Sequence, residues 1–106
     1  MDLELSKPIK TLAGDAVTRL HFDFDALKPS DYRYILRLEC RLRGVSIDDD
    51  ASATRSASSE FRIATAWMAA VSCAENKVCL DDIDNLSMRD LLDLEKFGLF
   101  FIAGVE

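Results

Sequence analysis

This chain is poor in the residues that perform chemistry. It carries one histidine, His21, and three cysteines, Cys40, Cys73 and Cys79, in 106 residues. No CxxC pair occurs and His21 is distant from every cysteine, so the four ligands of a structural zinc site are not on offer. The odd cysteine count, in contexts that read as helical, points to buried free thiols in a reducing compartment. No serine nucleophile is paired with a histidine, and no glycine-rich phosphate loop is present. Basic residues are scarce too: 13 Lys and Arg face 19 Asp and Glu, a net charge of −6. Nucleic acid and anionic membranes attract basic surfaces, so neither is an expected partner. The longest apolar run is about half the ~20 residues that span a bilayer. The start, Met1-Asp2-Leu3-Glu4, is acidic where a secretory signal is basic. These absences set the expectation of a cytoplasmic protein, not an enzyme, with no catalytic residues, metal or cofactor.

What is present is apolar and periodic. Hydrophobic residues make up 49% of the chain. One domain of this length buries roughly 60–70% of its unfolded surface, enough for a core without staples. Leu3 and Leu5 alternate with Asp2, Glu4 and Ser6, and Pro8 pushes this strand toward a sheet edge. Ala13-Gly14-Asp15 supplies a turn. Leu20, Phe22 and Phe24 then alternate with Arg19, His21, Asp23 and Asp25, which predicts a β-hairpin over residues 2–25 with one apolar face. A lone hairpin is marginal in water, so helices must cover that face.

Three helices are expected. Pro29-Ser30-Asp31 starts the first, over 29–43, with Tyr32, Ile35, Leu38 and Leu42 at helical spacing and Gly44 as its stop. A polar, small-residue linker follows at 45–58. Ser58 or Ser59 can cap the second helix, 59–76, whose residues from Phe61 to Ala74 leave almost no polar face. Ser87-Met88-Arg89-Asp90 resembles a capping box with Asp in place of Glu, opening a third helix over 87–103. The fold class is therefore α+β: an N-terminal antiparallel hairpin packed against about three helices, mainly helical, in a single domain.

Three clusters invite chemical readings. Asp81-Asp82-Ile83-Asp84-Asn85 and Asp48-Asp49-Asp50 lack the glycine and distal Glu of a calcium loop, so both read as solvated loop charge. His21, Asp23 and Asp25 read as an exposed strand face. The Arg33, Arg37 and Arg41 row reads as a solvated helix face, with an acidic partner as the alternative.

The most telling segment is the last. Three of six phenylalanines fall in Phe97–Val105, where every residue is apolar or glycine. A helix greasy on all sides must be covered by something. Part of it serves the core, and the remainder implies self-association or a partner's hydrophobic helix. The candidate contact residues are Trp67, Met68, Leu99, Phe100, Phe101 and Ile102.

The order of these elements resembles a known family. Leu5-Ser6-Lys7-Pro8-Ile9 leads into a hairpin ending Leu20-His21-Phe22-Asp23-Phe24-Asp25-Ala26-Leu27. A Pro29-Ser30-Asp31-Tyr32 helix start, the Phe61–Ala66 helix, the Asp81–Asp90 joint and a phenylalanine-rich end follow. This pattern resembles the tail assembly chaperones of long-tailed bacteriophages and prophages. The resemblance implies a non-enzymatic, oligomeric helper in the bacterial host cytoplasm. Such a helper binds the hydrophobic tape-measure protein, keeps it soluble and assists addition of the tail tube protein. The alternative is another phage structural protein or head–tail adaptor.

Overall fold

The sequence pattern becomes an N-terminal hairpin laid across a helical layer, in a computed structural model that describes residues 2–44 and 58–103. Strands β1 (Asp2–Lys10) and β2 (Ala16–His21) pair antiparallel. Helices α1 (Tyr32–Arg43), α2 (Ser59–Val71) and α3 (Met88–Ala103) follow. The helix α2 is central, packing against α1 on one side and α3 on the other. This is the expected α+β arrangement. The linker from 45 to 57, with Asp48-Asp49-Asp50, and Gly104 and Val105 lie outside the described residues.

The hairpin closes as its residues dictate. Gly14 takes φ +95°, a value side chains rarely tolerate. The Thr11 N–H donates to Asp15 O at 2.8 Å, and Gly14 N–H donates to Thr11 O at 2.9 Å. Pairing runs in one register from Asp2 to Glu4 and in another at Ile9 and Lys10. Between Glu4 and Ile9, β1 carries extra residues around Pro8, which has no N–H to give a ladder. The hairpin stops short of its predicted end. Phe22 is buried, but Phe24 belongs to a 3-10 turn, Phe24–Ala26, so Asp23 and Asp25 sit beyond the strand.

Helix ends follow local chemistry. A 3-10 turn at Pro29–Asp31 precedes α1, and Gly44 ends it at φ +75°. Ser58 is the N-cap of α2: its Oγ accepts from Phe61 N–H at 3.0 Å and donates to the buried Glu39 at 2.9 Å, joining this end to α1. Replacing Ser58 by Ala should therefore cost about 1 kcal/mol, read as a lower denaturation midpoint with unchanged urea dependence. The α2 helix ends at Val71, earlier than the spacing predicts. Asn76 lies in a separate 3-10 turn, where its Nδ2 donates to Ala70 O at 2.6 Å and closes the helix. The same side chain grips both backbone groups of His21 at 2.8 and 2.7 Å, extending the hairpin ladder by a side-chain amide.

One core cluster gathers Leu5, Ile9, Val17, Leu20 and Phe22 from the hairpin segment with Ile63, Ala66, Trp67 and Ala70 of α2, and with Ile35, Leu38 and Leu94. The alanines permit close helix approach, and one contact is extreme. A Cβ on Gly98 of α3 would stand 2.0 Å from Arg62 O of α2.

Two aspartates pin the hairpin from the other edge. Asp90 accepts from Ser6 N–H with both oxygens, at 2.9 and 3.1 Å, and from Ser87 Oγ at 2.9 Å. Asp82 accepts from Leu12 N–H at 2.8 Å and Cys79 N–H at 2.8 Å. Both are buried, so the reading of the Asp81–Asn85 cluster as solvated charge fails at Asp82. Burial pushes each carboxyl upward, but for Asp82 the Cys79 and Leu12 N–H groups outweigh it. For Asp90 the Ser6 N–H and Ser87 hydroxyl do the same, so both groups are held below the ordinary value.

Candidate docking cleft

The side chains expected to act on a partner separate into three places. Trp67 is 0% exposed and its Nε1 donates to Leu80 O at 3.0 Å; Met68 is buried beside it. Both are core residues and present no surface to a partner, which corrects their place among the contact candidates. Phe101 and Ile102 line an apolar cleft. Leu99, 38% exposed, and Phe100, 42% exposed, lie outside that cleft.

The cleft is built by all three helices. Leu27, Lys28 and Pro29 form its lip on the segment entering α1. Tyr32 and Ile35 come from α1, Phe61 and Thr65 from α2, and Phe101 and Ile102 from α3. Its volume is about 490 Å³, inside the ~300–1,000 Å³ range of ligand sites. Aromatic contacts shape the walls. Tyr32 meets Phe61 edge-on with centroids 6.3 Å apart. Phe101 stacks on Phe24 at 4.7 Å, Phe24 on Phe22 at 6.2 Å, and Phe22 meets Phe97 at 5.0 Å. Phe101 thus belongs to a ring chain rooted in the core, yet remains 45% exposed. Thr65 Oγ1 donates to Phe61 O at 2.8 Å, so its hydroxyl is already satisfied within α2.

Among the described residues the wall carries no carboxylate, imidazole, thiol or serine, and Lys28 is its one charged side chain. Such a wall suits apolar groups. Among the described residues no group of three or more His, Cys, Asp or Glu could hold a metal ion. No helix among them is long and apolar enough to cross a membrane.

No protein-family model matches this chain, and no curated protein or solved structure matches it significantly. The cleft therefore has to be read from its own chemistry.

The remaining candidate clusters are structural or peripheral. His21 Nδ1 pairs with Asp2, and the Asp2 carboxyl is held below its ordinary value chiefly by that hydrogen bond. Arg19 joins Glu4 at 3.2 Å across the hairpin. Arg41 binds Asp81 at 2.7 Å and also Asp84, so this member of the arginine row is occupied inside the chain. These groups are exposed, and Arg41→Ala should cost less than about 1 kcal/mol, a small shift in thermal midpoint. The expected burial of the cysteines holds for Cys40 and fails for the other two. Cys40 is buried in α1, Cys73 is half-buried, and Cys79 is exposed at the start of a 3-10 turn.

Sequence reasoning missed Leu27, Tyr32 and Phe61 as cleft residues. Tyr32 and Phe61 read as core positions of two separate helices, and nothing in their spacing reveals that one ring stays 51% exposed.

Proposed function

We propose that the chain is a non-enzymatic tail assembly chaperone that binds a hydrophobic helix of a tape-measure protein, keeps it soluble and assists tube assembly. The observation that carries this reading is the open aromatic cleft of Tyr32, Phe61, Phe101 and Ile102, walled almost wholly by apolar atoms. A helix docks in such a groove through large side chains repeated on one face. Aromatic walls supply area at low entropic cost and tolerate varied clients. The element order described above supports the same reading. The −6 net charge keeps a coated client from aggregating. The tail tube protein is a second partner, the chain associates with copies of itself, and all of this takes place in the host cytoplasm.

The test separates binding from folding. Tyr32→Asp removes one apolar wall at the first position of α1, where a carboxylate suits the helix dipole, so the fold should survive. Phe101→Asp removes the opposite wall. Co-expressed with the tape-measure protein, each variant should remain folded by circular dichroism and pull down at least ~10-fold less client than the wild type. Undiminished pull-down by both folded variants would remove the cleft from the mechanism.

A further inference from the structure

The helix α3 flanks the central α2, and its outward side is unusual. Five of the eight large hydrophobic residues most exposed on the described surface belong to it. At ~100° per residue, Met88, Leu92, Leu99 and Ala103 fall on one narrow stripe about 22 Å long. Met88 is 68% and Leu92 51% exposed. An outer helix face should be polar. The stripe lies across the helix from Phe101, and the nearer cleft residue, Ile102, stands about 40° beyond its Met88 edge.

Among the described residues, Glu95 borders one margin of the stripe at its middle, and Lys96 borders the other, with the exposed Arg89 just beyond it. Glu95 Oε2 is held by Ser59 at 2.8 Å and Arg62 at 3.3 Å. Lys96 is 74% exposed, with Asp93 no nearer than 3.9 Å. These margins specify both the partner and its direction. When two copies of one helix pair side by side and parallel, the left margin of one meets the right margin of the other. Glu95 then faces Lys96 of the second copy, twice. In the antiparallel arrangement Glu95 meets Glu95 and Lys96 meets Lys96, which is repulsive.

We propose that two copies of this chain pair through the α3 stripe, parallel and in register, with Leu92 on Leu92 and Leu99 on Leu99. The contact is isologous and leaves both clefts open. It is independent of what the cleft binds.

Site-specific crosslinking tests it on the intact chain. In a Cys79→Ser background, Leu92→Cys should form a disulfide-linked dimer on mild oxidation, because parallel pairing brings the two copies of position 92 together. A Leu92→Cys chain mixed with a Leu99→Cys chain should give only the two homodimers. Predominant mixed crosslinks would establish antiparallel pairing and overturn the proposal. Leu92→Asp with Leu99→Asp should raise the dimer dissociation constant by about 100-fold or more, measured by sedimentation, while the native fluorescence of Trp67, buried in the core, stays unchanged and shows that the fold survives. Lys96→Glu should weaken the dimer at low salt and lose that effect near ~1 M salt. A wild-type chain that sediments as a monomer at every accessible concentration would also overturn it. Failure of client binding with an intact dimer would count against the cleft reading alone.

Discussion

Gly98→Ala should destabilise the domain by about 3 kcal/mol or more, although intrinsic helix propensity favours Ala over Gly by about 1 kcal/mol. The sign is decided by space. An added Cβ would lie 2.0 Å from Arg62 O, 2.6 Å from Arg62 C and 3.0 Å from Arg62 Cα. All three atoms are backbone of α2, so no side chain can rotate away. Relief requires α3 to move off α2, and that motion would open the contacts of Leu94, which is 0% exposed. It would also shift the seat of Phe97 against Phe22. Urea denaturation measures the loss directly, and the thermal midpoint should fall by roughly 10 °C or more. A neutral or stabilising result would mean that the two helices do not cross at Gly98.

Asp90→Ala should cost a comparable amount, about 3 kcal/mol, for a different reason. The carboxylate accepts from the Ser6 N–H and the Ser87 hydroxyl, tying β1 to the start of α3. Truncation leaves the part-buried Ser6 N–H at the β1 irregularity without its carboxylate acceptor, where no ladder partner replaces it. Asp82→Ala should act similarly through Leu12 and Cys79. The pH dependence follows from the same bonds. Both carboxyls are held below their ordinary value when folded. Below about pH 5 the unfolded chain, with aspartates near ~3.9, takes up protons that the folded chain does not. Stability therefore falls as pH is lowered, until the folded-state carboxyls themselves protonate. The Asp82→Asn, Asp90→Asn double variant should start less stable at neutral pH and lose less between about pH 5 and pH 3. Equal acid slopes for variant and wild type would show that these two groups do not couple folding to protons.

These two predictions mark where sequence reading ends. Alternation through Leu20 and Phe22 announces the hairpin, and the spacing of Ile35 and Leu38 announces α1, because one-sided burial imprints a period on the chain. Ser87 and Asp90 are legible as a cap. Their second task is not, since the partner, Ser6, lies 84 positions away. The same holds for Asn76, whose bonds to His21 and Ala70 depend on two elements meeting. Asp82 reads as loop charge because nothing in its neighbourhood reveals the approach of Leu12. Gly98 is visible as a glycine within an apolar run, but only the crossing of α2 and α3 explains it.

The candidate site divides along similar lines. The excess of apolar surface in the final helix is evident from Phe97 onward. Its direction is not, because an all-apolar run has no polar face to mark what is outside. Packing resolves it: Phe97 and Phe101 join the ring chain from Phe22, Ile102 borders the cleft, and Leu99 turns outward. Trp67 and Met68 go to the core because α2 is central and covered on both sides.

The most direct measurement is co-expression of the wild-type chain with the tape-measure protein, followed by assay of the soluble fraction. A chaperone reading predicts that the tape-measure protein, insoluble alone, becomes soluble and co-purifies with this chain, and that Tyr32→Asp abolishes both effects. A tape-measure protein that stays insoluble and unbound beside a folded, abundant wild-type chain would contradict it.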